Sequence, residues 1–158
     1  MTEKLGMGLK GAHAKGGNKP RLGEWADKMR FEFPWPPKEL SPNARVHWRA
    51  LADAKARYAD ECGWTAKASV GHSMAQLIDR RRFPLKPPVT AQVTFVCDGR
   101  RRDSDNHMAM LKPLWDGLVA IEVLEDDSHE KLHIEKPKWE RGEKKVIVEL
   151  SPFRDGGE

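Results

Sequence analysis

The sequence has few cysteines and no long apolar run, and both features narrow the classes of protein that fit. Only two cysteines, Cys62 and Cys97, occur among the 158 residues, and they lack the C-x-x-C spacing of zinc and redox sites. This usage indicates reduced thiols in a reducing compartment. No apolar stretch approaches the length of a membrane span, and the first residues lack the apolar centre of a signal peptide. We therefore expect a soluble cytoplasmic protein that does not contact a membrane.

Internal repeats are also missing, and the length suits a single hydrophobic core. Residues 1–24 are rich in glycine and lysine without apolar periodicity, which predicts a flexible basic arm. One domain is predicted over residues 25–151, followed by a tail over 152–158. Lysine and arginine outnumber aspartate and glutamate by 28 to 24, and the isoelectric point is about 9.1. This modest excess suits a nucleic-acid-binding protein but does not identify one.

Hydrophobic periodicity predicts an α+β domain with one mixed or antiparallel sheet of about four strands and helices packed on it. Strands are predicted at residues 29–33, 89–98, 131–137 and 146–150. In the third strand, Leu132 and Ile134 are predicted to face the core. The last two strands are predicted to form a hairpin whose turn contains residues 141–145.

Three helical segments are predicted between the strands. The first has its start signal at Ser41 and is interrupted by Gly63, and the second covers residues 65–81. The third covers residues 105–119, with a bend or a late start at Pro113. Gly117 weakens its end. Its apolar face is Met108, Leu111, Leu114, Trp115 and Leu118, and its polar face carries Asp105, Lys112 and Asp116.

The densest group of charged residues follows the strand predicted at residues 89–98. Three arginines directly precede an Asp-x-Asp-Asn motif, and an acidic pair follows about twenty positions later. Carboxylates held close together repel one another unless a cation lies between them, and Mg²⁺ prefers such oxygen ligands. The fork of an arginine fits phosphate. The pattern therefore predicts a magnesium-dependent site that acts on a phosphodiester. Its residues are Arg100, Arg101, Arg102, Asp103, Asp105, Asn106, Asp126 and Asp127.

Each side chain of this pattern has a predicted role. Asp103 and Asp105 can reach one ion from the same side of an extended segment, and Asp127 completes the metal site, with Asp126 as a helper. The bound metal activates water and neutralises charge on the phosphate. Lys112 stabilises the transition state or the leaving oxygen as a point charge.

Further side chains are predicted to contact the substrate. The arginines at positions 100–102 and a second triplet, Arg80, Arg81 and Arg82, are expected to bind phosphates. Asn106 either fixes an aspartate or donates a hydrogen bond to phosphate. Contacts of this kind give affinity that falls with salt and carry no base specificity.

Three runs in the sequence resemble the RusA family of crossover-junction endodeoxyribonucleases, which is common in phages and prophages. They are R-R-R-D-S-D-N, L-K-P-L-W-D-G-L and E-D-D. The run F-P-W-P-P, followed by Asn43, also resembles the proline-rich segment that follows the first strand in this family. The similarity extends from about Phe31 to Leu150, and it is most specific in the aspartate region.

The resemblance implies an activity and a set of site residues. By similarity, Asp103, Asp105 and Asp127 are the metal-binding catalytic groups, and Lys112 is a catalytic lysine. The metal is Mg²⁺, with Mn²⁺ as a substitute. The substrate is a four-way (Holliday) DNA junction, which a homodimer nicks on two strands during recombination or repair. The protein is then phage- or prophage-encoded and lies in the bacterial cytoplasm.

The spacing between Asn106 and Lys112 departs from the family, in which the gap is about three residues shorter. On one continuous helix, three residues correspond to a rotation of about 300° and a shift of about 4.5 Å along the axis. Lys112 is therefore expected to keep nearly the same helix face.

Other interpretations of the charged residues stay open. Glu143-Lys144-Lys145 gives the E-x-K string of restriction-type nucleases, although it lies in a predicted turn where a solvated charge run is simpler. His107, His129 and His133 could belong to a histidine metal site, but surface or supporting roles fit their spacing better.

A non-enzyme is the remaining alternative. A protein that only binds DNA or its junctions gains nothing from several aspartates beside phosphate, because they repel it. The six tryptophans could stack on bases, but packing in the core and in loops explains them more simply.

Overall fold

A computed structural model describes residues 28–70, 83–100 and 102–153. These residues form a single α+β domain with a five-stranded mixed sheet, which confirms the predicted fold class with one strand more than expected. The strands are β1 (Met29–Phe33), β2 (Val89–Cys97), β3 (Leu132–Ile134), β4 (Lys138–Arg141) and β5 (Lys145–Pro152). The helices are α1 (Trp48–Ser69), α2 (Ser104–Ala109) and α3 (Lys112–Ala120), and a 3-10 turn spans Lys38–Leu40.

Strand β2 is central because it forms hydrogen bonds along both edges. On one side it pairs antiparallel with β5, and β1 extends the sheet beyond β5, again antiparallel. On the other side β3 and β4 follow one another, both parallel to β2. Alternate residues of β2, which share one face of the sheet, are all buried. They are Val89, Ala91, Val93, Phe95 and Cys97.

A short gap in the ladder separates β3 from β4, so the strand predicted over 131–137 is only partly confirmed. Pro137 has no backbone N–H to donate, and the last hydrogen bond before it runs from the Glu135 N–H to β2. The side-chain amide of Gln92 bridges the gap by donating to the carbonyl oxygen of Lys136 at 2.9 Å. Pairing then resumes in β4, which the sequence pattern did not predict.

Two other expectations for the C-terminal strands are wrong. Ile134 is 42% exposed, because it is the last residue of a short strand at the sheet edge. The strand predicted over 131–137 forms no hairpin with β5, because β3 and the following β4 lie on the opposite side of β2 from β5. The connection between β4 and β5 instead crosses the end of β2, where the Gly142 N–H donates to the carbonyl oxygen of Cys97 at 3.0 Å.

Helix α1 begins at Trp48 and not at the predicted Ser41. The Ser41 hydroxyl accepts a hydrogen bond from the backbone N–H of Asn43, so this side chain stabilises a local turn instead of a helix end. The true cap is His47, whose Nδ1 accepts from the backbone N–H of Arg49 at 3.1 Å. A histidine at this position is an uncommon cap, which explains why the start was missed.

The 22 residues of α1 bury one face against the core. Ala54, Tyr58, Cys62 and Ala66 recur every fourth position on that face and are almost fully buried. The helix includes the first residues of the segment predicted over 65–81, and positions 71–82 lie outside the described residues. No helix in the described ranges, α1 included, has the length and apolar character needed to cross a membrane.

Two glycines allow α1 and α3 to pack closely, and neither has the disruptive effect predicted for it. Helix α1 continues through Gly63, and Gly117 is buried within α3. A Cβ at Gly117 would overlap the carbonyl oxygen of Ala59, and one at Gly63 would lie 3.2 Å from the carbonyl oxygen of Gly117. Because glycine lacks this atom, the two backbones can come into contact. This packing outweighs the low helix propensity of glycine.

The helix predicted over residues 105–119 consists of two helices, which confirms the expected late start. Helix α2 ends at Ala109 and α3 begins at Lys112, with Pro113 in its first turn. A proline costs little there, because the first N–H groups of a helix have no partner within it. Apart from Pro113 and Gly117, the buried residues of this region are Met110, Leu111, Leu114, Trp115 and Leu118, and Met108 is partly buried against them.

The tryptophans divide into packed and exposed groups. Trp115 is buried, and Trp35 and Trp139 pack on Phe95. Trp48 and Trp64, in contrast, are 67% and 42% exposed on α1. Packing therefore explains only part of the tryptophan content of the described residues.

The close contact between α1 and α3 predicts a large effect of Gly117→Ala. The added methyl overlaps the backbone of Ala59, and overpacking of this kind costs about 1–3 kcal/mol. That cost exceeds the gain in helix propensity of about 1 kcal/mol. We expect urea denaturation to show a net loss of unfolding free energy.

Gly99→Ala is the matched control. The methyl at Gly99 meets only the end of the Arg141 side chain, which can move, so the change should stay within about 0.5 kcal/mol. Equal stability of the two variants would contradict the proposed backbone contact.

Candidate functional site

The arginines after β2 are held by Asp98, the first residue beyond the strand. One carboxylate oxygen accepts from Nε of Arg100 at 3.0 Å, and the other accepts from Nη2 of Arg102 at 2.9 Å. The hydrogen bonds from Arg100 hold the pKa of the Asp98 carboxyl below its ordinary value. The sequence pattern did not single out Asp98, although its spacing two and four positions before the arginines was the signal. Arg101 lies outside the described residues.

Arg100 and Arg102 differ in how firmly the fold holds them. The side chain of Arg100 is 76% exposed, whereas that of Arg102 is 12% exposed. Nε of Arg102 donates to the sulfur of Cys97 at 3.4 Å, and its guanidinium carbon lies 5.7 Å from the ring centroid of Trp35. Arg102 is therefore fixed within the fold, and Arg100 extends into solvent.

Asp103 shapes the start of α2 through both its side chain and its backbone. Its Oδ1 accepts from the backbone N–H of Asn106 at 3.2 Å, so Asp103 is the helix cap. Its carbonyl oxygen lies 2.8 Å from Nδ1 of His107, at hydrogen-bond distance. Asp105 is exposed in the first turn of the same helix. Asp103 and Asp105 thus lie at the start of α2, shortly after the chain leaves the sheet at the end of β2.

Lys112 joins two carboxylates at the start of α3. Its Nζ donates to Asp127 at 2.5 Å and to Asp116 at 3.0 Å. The hydrogen bond to Asp127, followed by that to Asp116, raises the pKa of Lys112 above its ordinary value. The expected proximity of Lys112 and Asp116 is confirmed, and Asp127 joins them from a loop. The sequence pattern did not predict the ion pair with Asp127.

The position of Lys112 does not follow from one continuous helix. Asp105 and Lys112 belong to different helices, because the chain breaks between α2 and α3. The rotation and axial shift calculated for a single helix are therefore wrong for this chain. Lys112 instead occupies the first position of α3, from which it reaches Asp127.

Asp126 supports the loop that carries Asp127. Its Oδ1 accepts from the backbone N–H of Asp127 at 2.9 Å. This hydrogen bond, together with those from Ser128, lowers the pKa of the Asp126 carboxyl. Asp126 therefore fixes the position from which Asp127 reaches Lys112.

The oxygen donors of this region suit Mg²⁺ in chemistry. However, across positions 28–70, 83–100 and 102–153, no group of three or more His, Cys, Asp or Glu side chains is placed so that it could hold a metal ion. One oxygen of Asp103 caps a helix, and the Lys112 ammonium takes a place beside Asp127. Convergence of the three predicted aspartates on one ion therefore stays a prediction.

The three histidines considered as metal ligands lie in different surroundings. His107 packs against the rings of Trp35, Phe95 and Trp139. His133 stacks on Phe153 with ring centroids 4.1 Å apart. His129 is exposed in a loop. No metal-binding group of histidines forms within the ranges that the structure describes.

The E-x-K string is divided between two surfaces. Nζ of Lys144 lies 5.4 Å from the ring centroid of Trp35, and Lys145 pairs with Glu32 at 3.2 Å. Lys144 and Trp35 line a cavity of about 570 Å³ together with the arginines that follow β2. The sequence interpretation missed this association, because positions 35 and 144 are far apart in the chain.

Two predicted features lie outside the described residues. They are the flexible arm over residues 1–24 and the triplet Arg80, Arg81 and Arg82. The expected contacts of this triplet with phosphates therefore stay predictions, as does that of Arg101.

Comparison with known proteins adds one distant relative. The chain is 33% identical over 102 residues to an uncharacterized protein of Xylella fastidiosa (strain Temecula1), and the match covers 60% of this chain and 58% of that protein. The chain therefore spans less than two thirds of the length of the protein it matches. No family model matches the chain.

The contact between Lys112 and Asp127 predicts a measurable coupling energy. A double-mutant cycle of Lys112→Ala and Asp127→Ala should give about 0.5–1 kcal/mol in urea denaturation, because the lysine side chain is 62% exposed and water screens the pair. Lys112→Ala with Asp116→Ala is the matched control, with about 0.3–0.5 kcal/mol expected for an i,i+4 pair.

The coupling should depend on pH in a defined direction. Because folding raises the pKa of Lys112, the stabilisation is complete below its ordinary pKa of 10.5 and is lost only as the pH rises through the higher folded value. The cycle should therefore give equal values at about pH 7 and pH 9. Additive single-variant effects would show that the two groups are not coupled.

Proposed function

We propose that this protein is a magnesium-dependent endodeoxyribonuclease that resolves four-way DNA junctions, as the resemblance to the RusA family implies. The observation that carries the proposal is the contact between Lys112 and Asp127. These two members of the predicted pattern are 15 positions apart and meet at 2.5 Å. The protein would act in recombination or repair, in the cytoplasm of a bacterium that carries the phage or prophage.

Lys112 supplies a fixed positive charge in this proposal. The neighbouring carboxylates raise its pKa, so it stays protonated at neutral pH and cannot serve as a general base. An ammonium held in this way stabilises the negative charge that builds on phosphate or leaving-group oxygens during cleavage. Asp127 and Asp116 hold the lysine before DNA arrives.

Asp103, Asp105 and Asp127 are the proposed metal ligands. Mg²⁺ usually takes one or two carboxylates and completes its coordination with water and substrate phosphate oxygens, so a gathered set of three carboxylates is not required in the absence of DNA. When bound, the metal supplies charge neutralisation and an activated water. Mn²⁺ is expected to substitute for it.

A homodimer fits the symmetry of the proposed substrate. A four-way junction has two equivalent strands to be cut, and a two-fold protein presents two equivalent sites. Salt-sensitive contacts from arginines to phosphates would provide most of the affinity.

A non-catalytic DNA-binding protein is the second candidate, and the ion pairs of Asp127 and Asp98 are compatible with it. Aspartates beside DNA repel phosphate unless they are neutralised. Here Lys112 neutralises Asp127, and Arg100 and Arg102 neutralise Asp98. A pure binder could therefore tolerate these aspartates.

Cleavage of a labelled four-way junction distinguishes the two candidates. The purified protein should nick the junction symmetrically with Mg²⁺, leave linear duplex intact, and be inactive in EDTA. Calcium should support binding without efficient cutting, since its looser coordination misplaces the attacking water. Binding of the junction without any cutting in Mg²⁺ or Mn²⁺ would favour the non-catalytic candidate.

Substitutions test the assigned residues. Asp103→Asn and Asp127→Asn should abolish cleavage while junction binding survives or improves, because each removes a charge that repels phosphate. Lys112→Ala should slow cleavage by about 10²–10³-fold, as expected when one stabilising charge is lost.

Asp53→Asn is the matched control for charge, because Asp53 is exposed on α1. It should cut at the wild-type rate. Wild-type cleavage by both Asp103→Asn and Asp127→Asn would remove these residues from the active site.

A further inference from the structure

A cavity of about 570 Å³ opens between the end of β2, the proline-rich run after β1 and the connection between β4 and β5. This volume lies within the range of small-molecule sites. Four cationic side chains, an indole and an imidazole dominate its wall. They are Lys38, Arg100, Arg102, Lys144, Trp35 and His107.

The charge of the cavity wall is unbalanced. Among the lining residues that the structure describes, none is a carboxylate. Asp98 neutralises part of the charge on Arg100 and Arg102 from outside the wall. Among the ion pairs of the described residues, none includes Lys38 or Lys144. Cations gathered around a concave surface raise the local concentration of anions.

Trp35 is the rigid part of the wall. The hydroxyl of Tyr58 donates to the carbonyl oxygen of Pro34 at 2.7 Å, which anchors the neighbouring backbone to α1. The Trp35 ring meets those of Phe95 and His107 edge-on, with each pair of centroids 5.7 Å apart. The aromatic cluster thus holds the indole in place before any ligand binds.

Two cations lie against the same indole. The Arg102 guanidinium carbon is 5.7 Å from the ring centroid, and Nζ of Lys144 is 5.4 Å from it. The ring attracts each of them, but like charges this close to one surface also repel one another. Anionic oxygens beside this indole would lower that repulsion.

We infer that this cavity binds a phosphate group of a DNA strand at a position separate from the phosphate that is cut. None of Asp103, Asp105, Lys112 and Asp127 lines the cavity. It nevertheless adjoins α2, because the ring of His107 forms part of its wall and lies 2.8 Å from the carbonyl oxygen of Asp103. The identity of the anion as DNA rests on the proposed function. The shared chemistry is a phosphate ester, which a strand or a free nucleotide could provide.

The salt dependence of DNA binding tests the contribution of the lysines. Lys38→Ala and Lys144→Ala should each weaken binding of a labelled junction by about tenfold, as expected for one charge-assisted contact. Each should also lower the slope of log affinity against log salt by about 0.7–0.9. Both lysines are exposed, so the variants should fold normally.

Lys136→Ala is the matched control, because Lys136 is exposed and does not line the cavity. It loses the same charge and should keep the wild-type slope. If Lys38→Ala and Lys144→Ala keep that slope as well, the inference is overturned.

A second readout is independent of cleavage. In NMR spectra, the indole N–H signal of Trp35, assigned with Trp35→Phe, should shift when a single-stranded oligonucleotide is added. A shift with the oligonucleotide but not with a deoxynucleoside monophosphate at equal phosphate concentration identifies the strand as the source. A shift with both probes means that the cavity also accepts free nucleotides, and no shift with either overturns the inference.

The two proposals can fail separately. If the protein cleaves junctions, but Lys38→Ala and Lys144→Ala keep the wild-type salt slope and the Trp35 signal does not shift, the phosphate site is rejected and the nuclease function is retained. If Lys38→Ala and Lys144→Ala weaken DNA binding and lower its salt slope, but the protein does not cleave in Mg²⁺ or Mn²⁺, the phosphate site in the cavity is supported and the catalytic function is rejected.

Discussion

Hydrogen bonding along both edges of β2 is the constraint on which the arrangement of the domain depends. A strand paired on both sides cannot shift without breaking two ladders. Its end at Cys97 therefore fixes where the next residues leave the sheet. Asp98 and the arginines emerge there, and the connection from β4 to β5 crosses the same end. The cavity proposed to bind phosphate is the space between these two segments and the proline-rich run.

Two groups of opposite charges at the candidate site are already paired within the protein. Lys112 lies between Asp116 and Asp127, and Asp98 lies between two arginines. Exposed pairs of this kind contribute little to stability. Their larger effect is to restrict the positions of long side chains, so that less conformational freedom is lost when a ligand binds. The cavity differs, because Lys38 and Lys144 bring positive charge to it and no carboxylate is present among its described lining residues.

The strands could be predicted from the sequence where their apolar residues are buried in the core. Strand β1 and the first half of β2 alternate between buried and less buried positions, whereas the second half of β2 and residues 146–148 of β5 are buried without interruption. Each of these strands was predicted close to its bounds. Strand β4 shows no such alternation, because its four residues lie at the sheet edge and none is buried. Only its hydrogen bonds to β2 make it a strand. The roles of Gly63 and Gly117 were misjudged for a related reason, since each depends on the approach of another helix.

The sequence by itself determined which chemical groups are present, their order, and the class of fold that can bury the apolar ones. Tertiary structure alone decided which groups meet. It placed Lys112 against Asp127, and it brought Lys144 and Arg102 into contact with the ring of Trp35. The reason is physical: hydrogen bonds and cation–π contacts act over a few ångströms, and packing of the whole chain sets distances on that scale. Spacing along the sequence does not encode them.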